Sequence, residues 1–165
     1  MYAKMSVGLD EALGAIHAML DKIKSDKEKY WQEACFAIVD ERGKLVAFAK
    51  MDGPDQICQD VAIRKAWTAA IWRRDIQEVN EFIATRDWGL DAFTPEATAI
   101  IGGVAIAAPD DDSITTASTN EKKKLGSKPS CIGGIGVSRA GPWYIDLEVA
   151  RVGLKYIQDR LWARK

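Results

Sequence analysis

The run CIGGIGVS at residues 131–138 decides the architecture of this chain. It is short and apolar and carries three glycines, which predicts a buried strand. Glycine weakens a strand, so its repetition marks a place where a ligand or another stretch of backbone comes close. A second apolar run, at residues 98–107, contains Gly102 and Gly103 and predicts a neighbouring strand.

Two further strands are predicted upstream as a β-hairpin. Apolar runs at residues 34–39 and 45–51 flank a turn at residues 40–43, where Gly43 permits a positive φ. A two-stranded hairpin is not stable by itself. We therefore expect the two later strands to join it in one mostly antiparallel sheet.

Four helices are predicted around this sheet. The first has Ser6 as its N-cap, the second covers residues 56–74, the third follows Asp75, and the last opens at Pro142. The residues expected on the buried sides are Leu9, Leu13, Ile16, Leu20 and Ile23 of the first helix, Ile57, Val61, Trp67, Ala70 and Ile71 of the second, and Tyr144, Leu147, Ala150, Val152, Leu154, Ile157 and Leu161 of the last. The predicted fold class is α/β in the broad sense, an α+β domain with helices flanking the sheet.

The chain is predicted to be a single domain over residues 1–165, because this length suits one hydrophobic core. Residues 109–129 are polar, include an aspartate triplet and a lysine triplet, and have almost no apolar periodicity. They predict a long polar loop.

Composition excludes several classes of function. The 23 basic and 24 acidic residues leave a net charge of -1, which lacks the basic excess of nucleic-acid binding and gives no attraction to an anionic membrane. No uncharged apolar run approaches the ~20 residues of a membrane span. The cysteines, Cys35, Cys58 and Cys131, form no CxxC pair, so we expect free thiols, no structural zinc and a cytoplasmic location.

Four segments together resemble the GlcG/HbpS-like family, also called the haem-degrading domain family, which includes the C-terminal domain of PduO-type proteins. Their sequences are AIVDERGKLVAFAKMDGP at residues 37–54, DVAIRKAWTAA at 60–70, IIGGVAI at 100–106 and GGIGVSRAGPWYIDLEVARVGL at 133–154. Each segment is weak alone, but their joint occurrence in the family's order is specific.

This resemblance implies a profilin-like fold, a homo-oligomer from tetramer to octamer and, in some members, binding of haem or a corrinoid-related molecule. The chain departs from the family pattern near the implied pocket. Ala105 stands where the family has a proline, Arg139 where a small residue is expected, and Trp67 is unusual in its helix. These departures indicate that the ligand has changed within the family.

The glycines are the clearest candidate binding elements. Gly102, Gly103, Gly134 and Gly136 are predicted to line the ligand, because bare backbone N–H groups can cradle a carboxylate or a phosphate. The alternative is structural, since the same glycines permit a bulge or close helix packing. Neither a P-loop nor a dinucleotide fingerprint is present in the sequence.

Charged residues inside the family-like segments form a second group. Arg64 is a candidate to bind an anionic group such as a haem propionate. Asp52, Lys65, Arg139, Tyr144 and Asp146 are the candidates for catalysis. The two carboxylates, Asp52 and Asp146, could perform acid–base chemistry if burial shifts their pKa values. The alternative for these residues is helix capping or ion pairing.

His17, the only histidine, flanks the apolar stripe of the first helix. The resemblance makes it the candidate ligand of haem iron, and no other metal ligand is predicted. Alternatively its imidazole bonds a backbone carbonyl. The six tryptophans suit either a wall for a flat ligand or a subunit interface.

Three functions therefore remain open at this point. The first is binding of haem or another flat anionic molecule. The second is a cofactor-independent isomerase, hydrolase or lyase of small-molecule or aromatic catabolism. The third is a structural assembly module.

Overall fold

The computed structural model describes residues 5–86, 89, 94–108 and 130–163. The helices and strands are α1 (Leu9–Ser25), β1 (Cys35–Asp40), β2 (Leu45–Lys50), α2 (Gln56–Trp72), α3 (Ile76–Ala84), β3 (Gly103–Ala107), β4 (Cys131–Ser138) and α4 (Trp143–Trp162). Their order is the predicted one. The predicted polar loop at 109–129 lies outside the described residues.

The four strands form one antiparallel sheet in the order β2-β1-β4-β3. The glycine-rich strand β4 lies between β1 and β3, where Gly136 is the partner of both Ala37 and Gly103. The hairpin is therefore completed by the two later strands, which confirms the predicted α+β class.

The two faces of the sheet are covered by different kinds of helix. Helices α1 and α4 pack against each other and cover the face that bears Phe36, Ile38, Ile135 and Val137. Helix α2 covers the opposite face, where the packed residues are small. The members of that small-residue cluster are Cys35, Ala37, Val39, Cys58, Ala62, Ala66 and Ala70.

Helix α2 lies unusually close to β4 because β4 lacks side chains beneath it. A Cβ atom built on Gly136 would lie 2.6 Å from the amide nitrogen of Ala66, and one on Gly134 would lie 2.9 Å from that of Ala70. Such distances are far inside van der Waals contact, so these two glycines are required by the backbone of α2. The glycine repeat thus has the structural role that the sequence left as one of two alternatives.

Parts of the predicted helix faces are wrong. On α1, Leu9 and Leu13 are exposed, whereas the predicted Ile16 and Ile23 are buried together with Ala12, Ala15 and Met19. The N-cap of α1 is Gly8 rather than Ser6. Ile57 and Ile71 are exposed on α2, as is Tyr144 on α4. Helical periodicity predicts a buried face from the large apolar residues, whereas a helix that packs closely against its neighbour buries its small residues there.

All three cysteines are buried free thiols, as predicted. Burial raises the pKa of the Cys35 thiol, and a hydrogen bond with Cys58 acts in the same direction. Both effects favour the unreactive thiol over the nucleophilic thiolate.

We expect Gly136→Ala to lower the free energy of unfolding by about 3 kcal/mol, because the new methyl group must push α2 away from β4. Gly153→Ala is the matched control. Its methyl group would meet only the flexible side chain of Met19, with the sulfur 2.9 Å away, and alanine favours the helix. Urea unfolding measures both, and equal stability of the two variants would contradict the packing role of Gly136.

Candidate functional site

A buried ion pair joins the two helical layers at one end of the sheet. The Lys65 Nζ atom on α2 lies 2.8 Å from Asp146 Oδ2 in the first turn of α4, and it donates to the Val137 carbonyl at 2.7 Å. Asp146 Oδ1 accepts from the Ala140 amide at 2.9 Å. Both side chains are almost fully enclosed, with 1% and 7% exposed.

Gly102 provides the room for this pair. Its φ of +124° is one that residues with a side chain rarely adopt. A Cβ atom at this position would lie 2.8 Å from both Lys65 Nζ and Asp146 Cβ. The position that a side chain would occupy at residue 102 is therefore filled by the ion pair.

Burial opposes the charged state of both partners. It lowers the pKa of Lys65 and raises the pKa of Asp146, whereas their mutual attraction acts in the opposite direction on each. A buried pair of this kind gives little net stability, because desolvation offsets the attraction. Its effect is to fix the position of α2 relative to α4.

The structure brings together two of the five candidates for catalysis, Lys65 and Asp146, and it encloses them. Arg139 instead forms ion pairs with Glu33 at 2.5 Å and with Asp55 at 2.9 Å. Its backbone is left-handed, with φ at +61°. This arrangement connects the turn after β4 to the residues before β1 and α2, and catalysis by Arg139 stays a prediction.

The other two candidates for catalysis are exposed. Asp52 lies between β2 and α2, and the ring of Tyr144 makes an edge contact with Trp143 at 5.6 Å between centroids. A substrate in solution reaches these two side chains but not the enclosed pair of Lys65 and Asp146. A role for any of the five in an enzymatic reaction stays a prediction.

The predicted binding residues lie in three separate places. His17 is exposed on α1, and the sheet separates it from Arg64 on α2. Gly103, Gly134 and Gly136 are covered by α2, since a Cβ atom on Gly103 would lie 2.5 Å from the Lys65 carbonyl oxygen. The backbone of α2 occupies the space in which a ligand resting on these glycines would have to lie. We therefore leave the glycines out of the candidate site.

A groove of about 300 Å³ runs along the outer face of α2. Its lining residues are Asp60, Ile63, Arg64, Trp67 and Glu96. The first four lie at positions i, i+3, i+4 and i+7 of α2, so the helix places them on one face. Glu96 lies on the opposite wall and belongs to the segment 94–98.

Both walls of the groove are held in place. The indole edge of Trp67 packs on the hairpin turn, where a Cβ atom on Gly43 would lie 2.5 Å from indole Cδ1. On the other wall, the Pro95 carbonyl accepts a hydrogen bond from Arg64 Nη1. The amide of Thr98 donates to the Thr68 hydroxyl at 2.9 Å.

The sequence indicated part of this groove. The sequence predicts Arg64 as a binding residue and Trp67 as part of either a ligand wall or a subunit interface. It does not single out Asp60, Ile63 or Glu96. The 60, 63, 64, 67 spacing was a detectable helical stripe. Glu96 lies in an irregular segment far along the chain, and no local pattern placed it beside α2.

Among the described residues, no helix is sufficiently long and apolar to cross a membrane. Within the same part of the chain, no group of three or more histidine, cysteine, aspartate or glutamate side chains is arranged to hold a metal ion.

The fold and the groove define a class, a three-layer α+β domain with a small-molecule-sized groove outside its sheet. A family profile described as "Haem degrading protein HbpS-like" matches residues 7–116, and the chain belongs to this HbpS-like family. The family resemblance stated from the four sequence segments is thereby confirmed. No curated protein sequence matches the chain.

Solved structures share this fold at low sequence identity. A double mutant of HbpS from Streptomyces reticuli is 22% identical with a TM-score of 0.70, over 94% of this chain and 89% of that one. The Klebsiella pneumoniae protein ORFY is 19% identical with a TM-score of 0.70, over 95% and 94%. A PduOC:haem complex is 17% identical with a TM-score of 0.67, over 92% and 95%.

We expect Lys65→Met and Asp146→Asn each to lower the free energy of unfolding by about 3–5 kcal/mol, since each leaves one buried charge without its partner. The double variant should recover most of this loss. Chemical denaturation of the four proteins gives the coupling between the two sites.

Lys155→Met, in the exposed pair with Asp159, is the control and should leave stability nearly unchanged. Additive losses at Lys65 and Asp146 would contradict the pairing.

Proposed function

We propose that this protein binds a small, flat, anionic ligand in the groove on α2, and that haem is the first ligand to test. The observation that carries this proposal is that an aromatic residue, Trp67, and a basic residue, Arg64, line one groove. The family of the chain and the haem complex of PduOC support haem as the ligand class.

The groove offers the two kinds of contact that such a ligand needs. Trp67 and Ile63 present apolar surface to a flat ring system, as is usual in small-molecule sites. Arg64 presents a guanidinium that can hold a carboxylate through charge-assisted hydrogen bonds. The ring and one acidic substituent of the ligand would therefore be bound by residues on a single helix face.

The groove suits the ring and an acidic substituent of haem better than it suits coordination of the haem iron. The five described residues that line it include no histidine, cysteine or methionine, and among them Asp60 and Glu96 alone supply anionic oxygen atoms. His17 lies across the sheet from this groove. Iron coordination by His17 therefore requires a separate site on α1, or a second copy of the chain that brings its α1 to the groove.

The predicted homo-oligomer, from tetramer to octamer, is part of this proposal. Exposed aromatic side chains support it, because Trp31, Trp143 and Tyr144 are each about half exposed and aromatics are enriched in subunit interfaces. Sedimentation velocity would give the number of copies, and a purely monomeric protein would contradict this part.

Titration with ferric haem, followed by the Soret band, tests the ligand. We expect saturable binding by the wild type. Arg64→Ala and Trp67→Ala should each raise the dissociation constant about tenfold or more, since a charged contact or a stacked ring is worth about 1.4 kcal/mol or more. Arg151→Ala, an exposed arginine on α4, is the control and should bind normally.

Two results would count against the proposal. Unchanged affinity in both groove variants would place the ligand elsewhere, and absence of any Soret shift would exclude haem. His17→Ala decides the iron ligand separately, because loss of an axial imidazole alters the spectrum even where affinity is preserved.

A further inference from the structure

We propose that the carboxylate of Glu96, which lines the same groove as Arg64, opposes the binding of small acids and thereby determines which anions the groove accepts. This inference rests on the proposed function, because it concerns the same groove. It assigns a selectivity role to a residue that makes no part of the ring-binding surface.

The wall opposite α2 brings its own acceptors to the arginine. Arg64 Nη1 donates to the Pro95 carbonyl, so the guanidinium is already engaged by residues 94–98. Glu96 is the next residue and lines the groove together with Arg64. An incoming carboxylate must therefore displace the Pro95 carbonyl from Arg64 and enter a groove that already holds the Glu96 carboxylate.

Local hydrogen bonds keep the Glu96 carboxylate in this position. The Thr94 hydroxyl donates to Glu96 Oε2, and the Glu96 amide donates to the same hydroxyl at 3.3 Å. The Thr94 hydroxyl, together with the nearby charge of Arg64, lowers the pKa of Glu96. Glu96 is consequently an anion at neutral pH.

The charges in the groove give the consequence for selectivity. Arg64 is accompanied there by two carboxylates, Asp60 and Glu96. A ligand with one carboxylate and little flat surface gains too little from Arg64 to offset the repulsion by these two carboxylates. A ligand with a large ring system on Trp67 can offset that repulsion, so the groove favours flat carboxylates over small acids.

The test uses mesoporphyrin IX, a metal-free flat dicarboxylate, and its uncharged dimethyl ester, with quenching of tryptophan fluorescence as the readout. We expect Glu96→Gln to bind the dicarboxylate about two- to fivefold more tightly, the size of an exposed charge contact. Glutamine keeps an oxygen that can accept from Thr94. The ester should bind Glu96→Gln and the wild type equally.

Glu28→Gln, an exposed change outside the groove, is the control for net charge. In the Arg64→Ala background, Glu96→Gln should still tighten binding of the dicarboxylate, because the repulsion by Glu96 acts on the ligand itself. A gain that appears equally in Glu28→Gln, or equally with the ester, would overturn the inference.

The remaining outcomes separate the two proposals. Wild-type binding that Trp67→Ala weakens and Glu96→Gln leaves unchanged would overturn the selectivity role of Glu96 and leave the proposed function standing. Failure of both the wild type and Glu96→Gln to bind the dicarboxylate would overturn both.

Discussion

The close approach of helix α2 to strand β4 is the constraint on which the rest of the structure depends. Gly134 and Gly136 leave no side chains between the two backbones, so α2 presents only small residues to the sheet. With that face committed to the sheet, the stripe from Asp60 to Trp67 is turned outward, where it forms one wall of the groove. The glycines thus act on the candidate site indirectly, by setting the orientation of the helix that bears it.

The same approach explains why a lysine is buried in a layer otherwise made of small residues. Lys65 lies at the margin of the α2 interface, and its ammonium group passes Gly102 to reach Asp146 at the start of α4. The ammonium group of Lys65 donates to the Asp146 carboxylate and to the Val137 carbonyl of β4. The pair therefore connects helices on opposite faces of the sheet, a connection that the apolar cores do not make, because each core contacts only one face.

Much of the fold could be predicted from the sequence, since the order of helices and strands, the antiparallel sheet and the family all follow from local patterns. The sequence also singled out Lys65, Asp146 and Gly102, but not their contact, because spacing along a chain does not encode meetings between α2 and α4. The buried faces of α1 and α2 were misjudged because helix packing over small residues leaves the large ones, such as Leu9 and Ile57, outside. Glu96 was missed for a related reason, since irregular segments have no periodicity to read.

The groove has one stiff wall and one adaptable wall. Helix α2 is held by its close packing on the glycine-rich strand β4 and by the buried ion pair between Lys65 and Asp146. Residues 94–98 are attached to it by a few hydrogen bonds, from the Pro95 carbonyl and the Thr98 amide. Residues 94–98 are therefore the part of the groove that adjusts to ligands of different thickness. Arg64 and Trp67, both on α2, keep a fixed spacing.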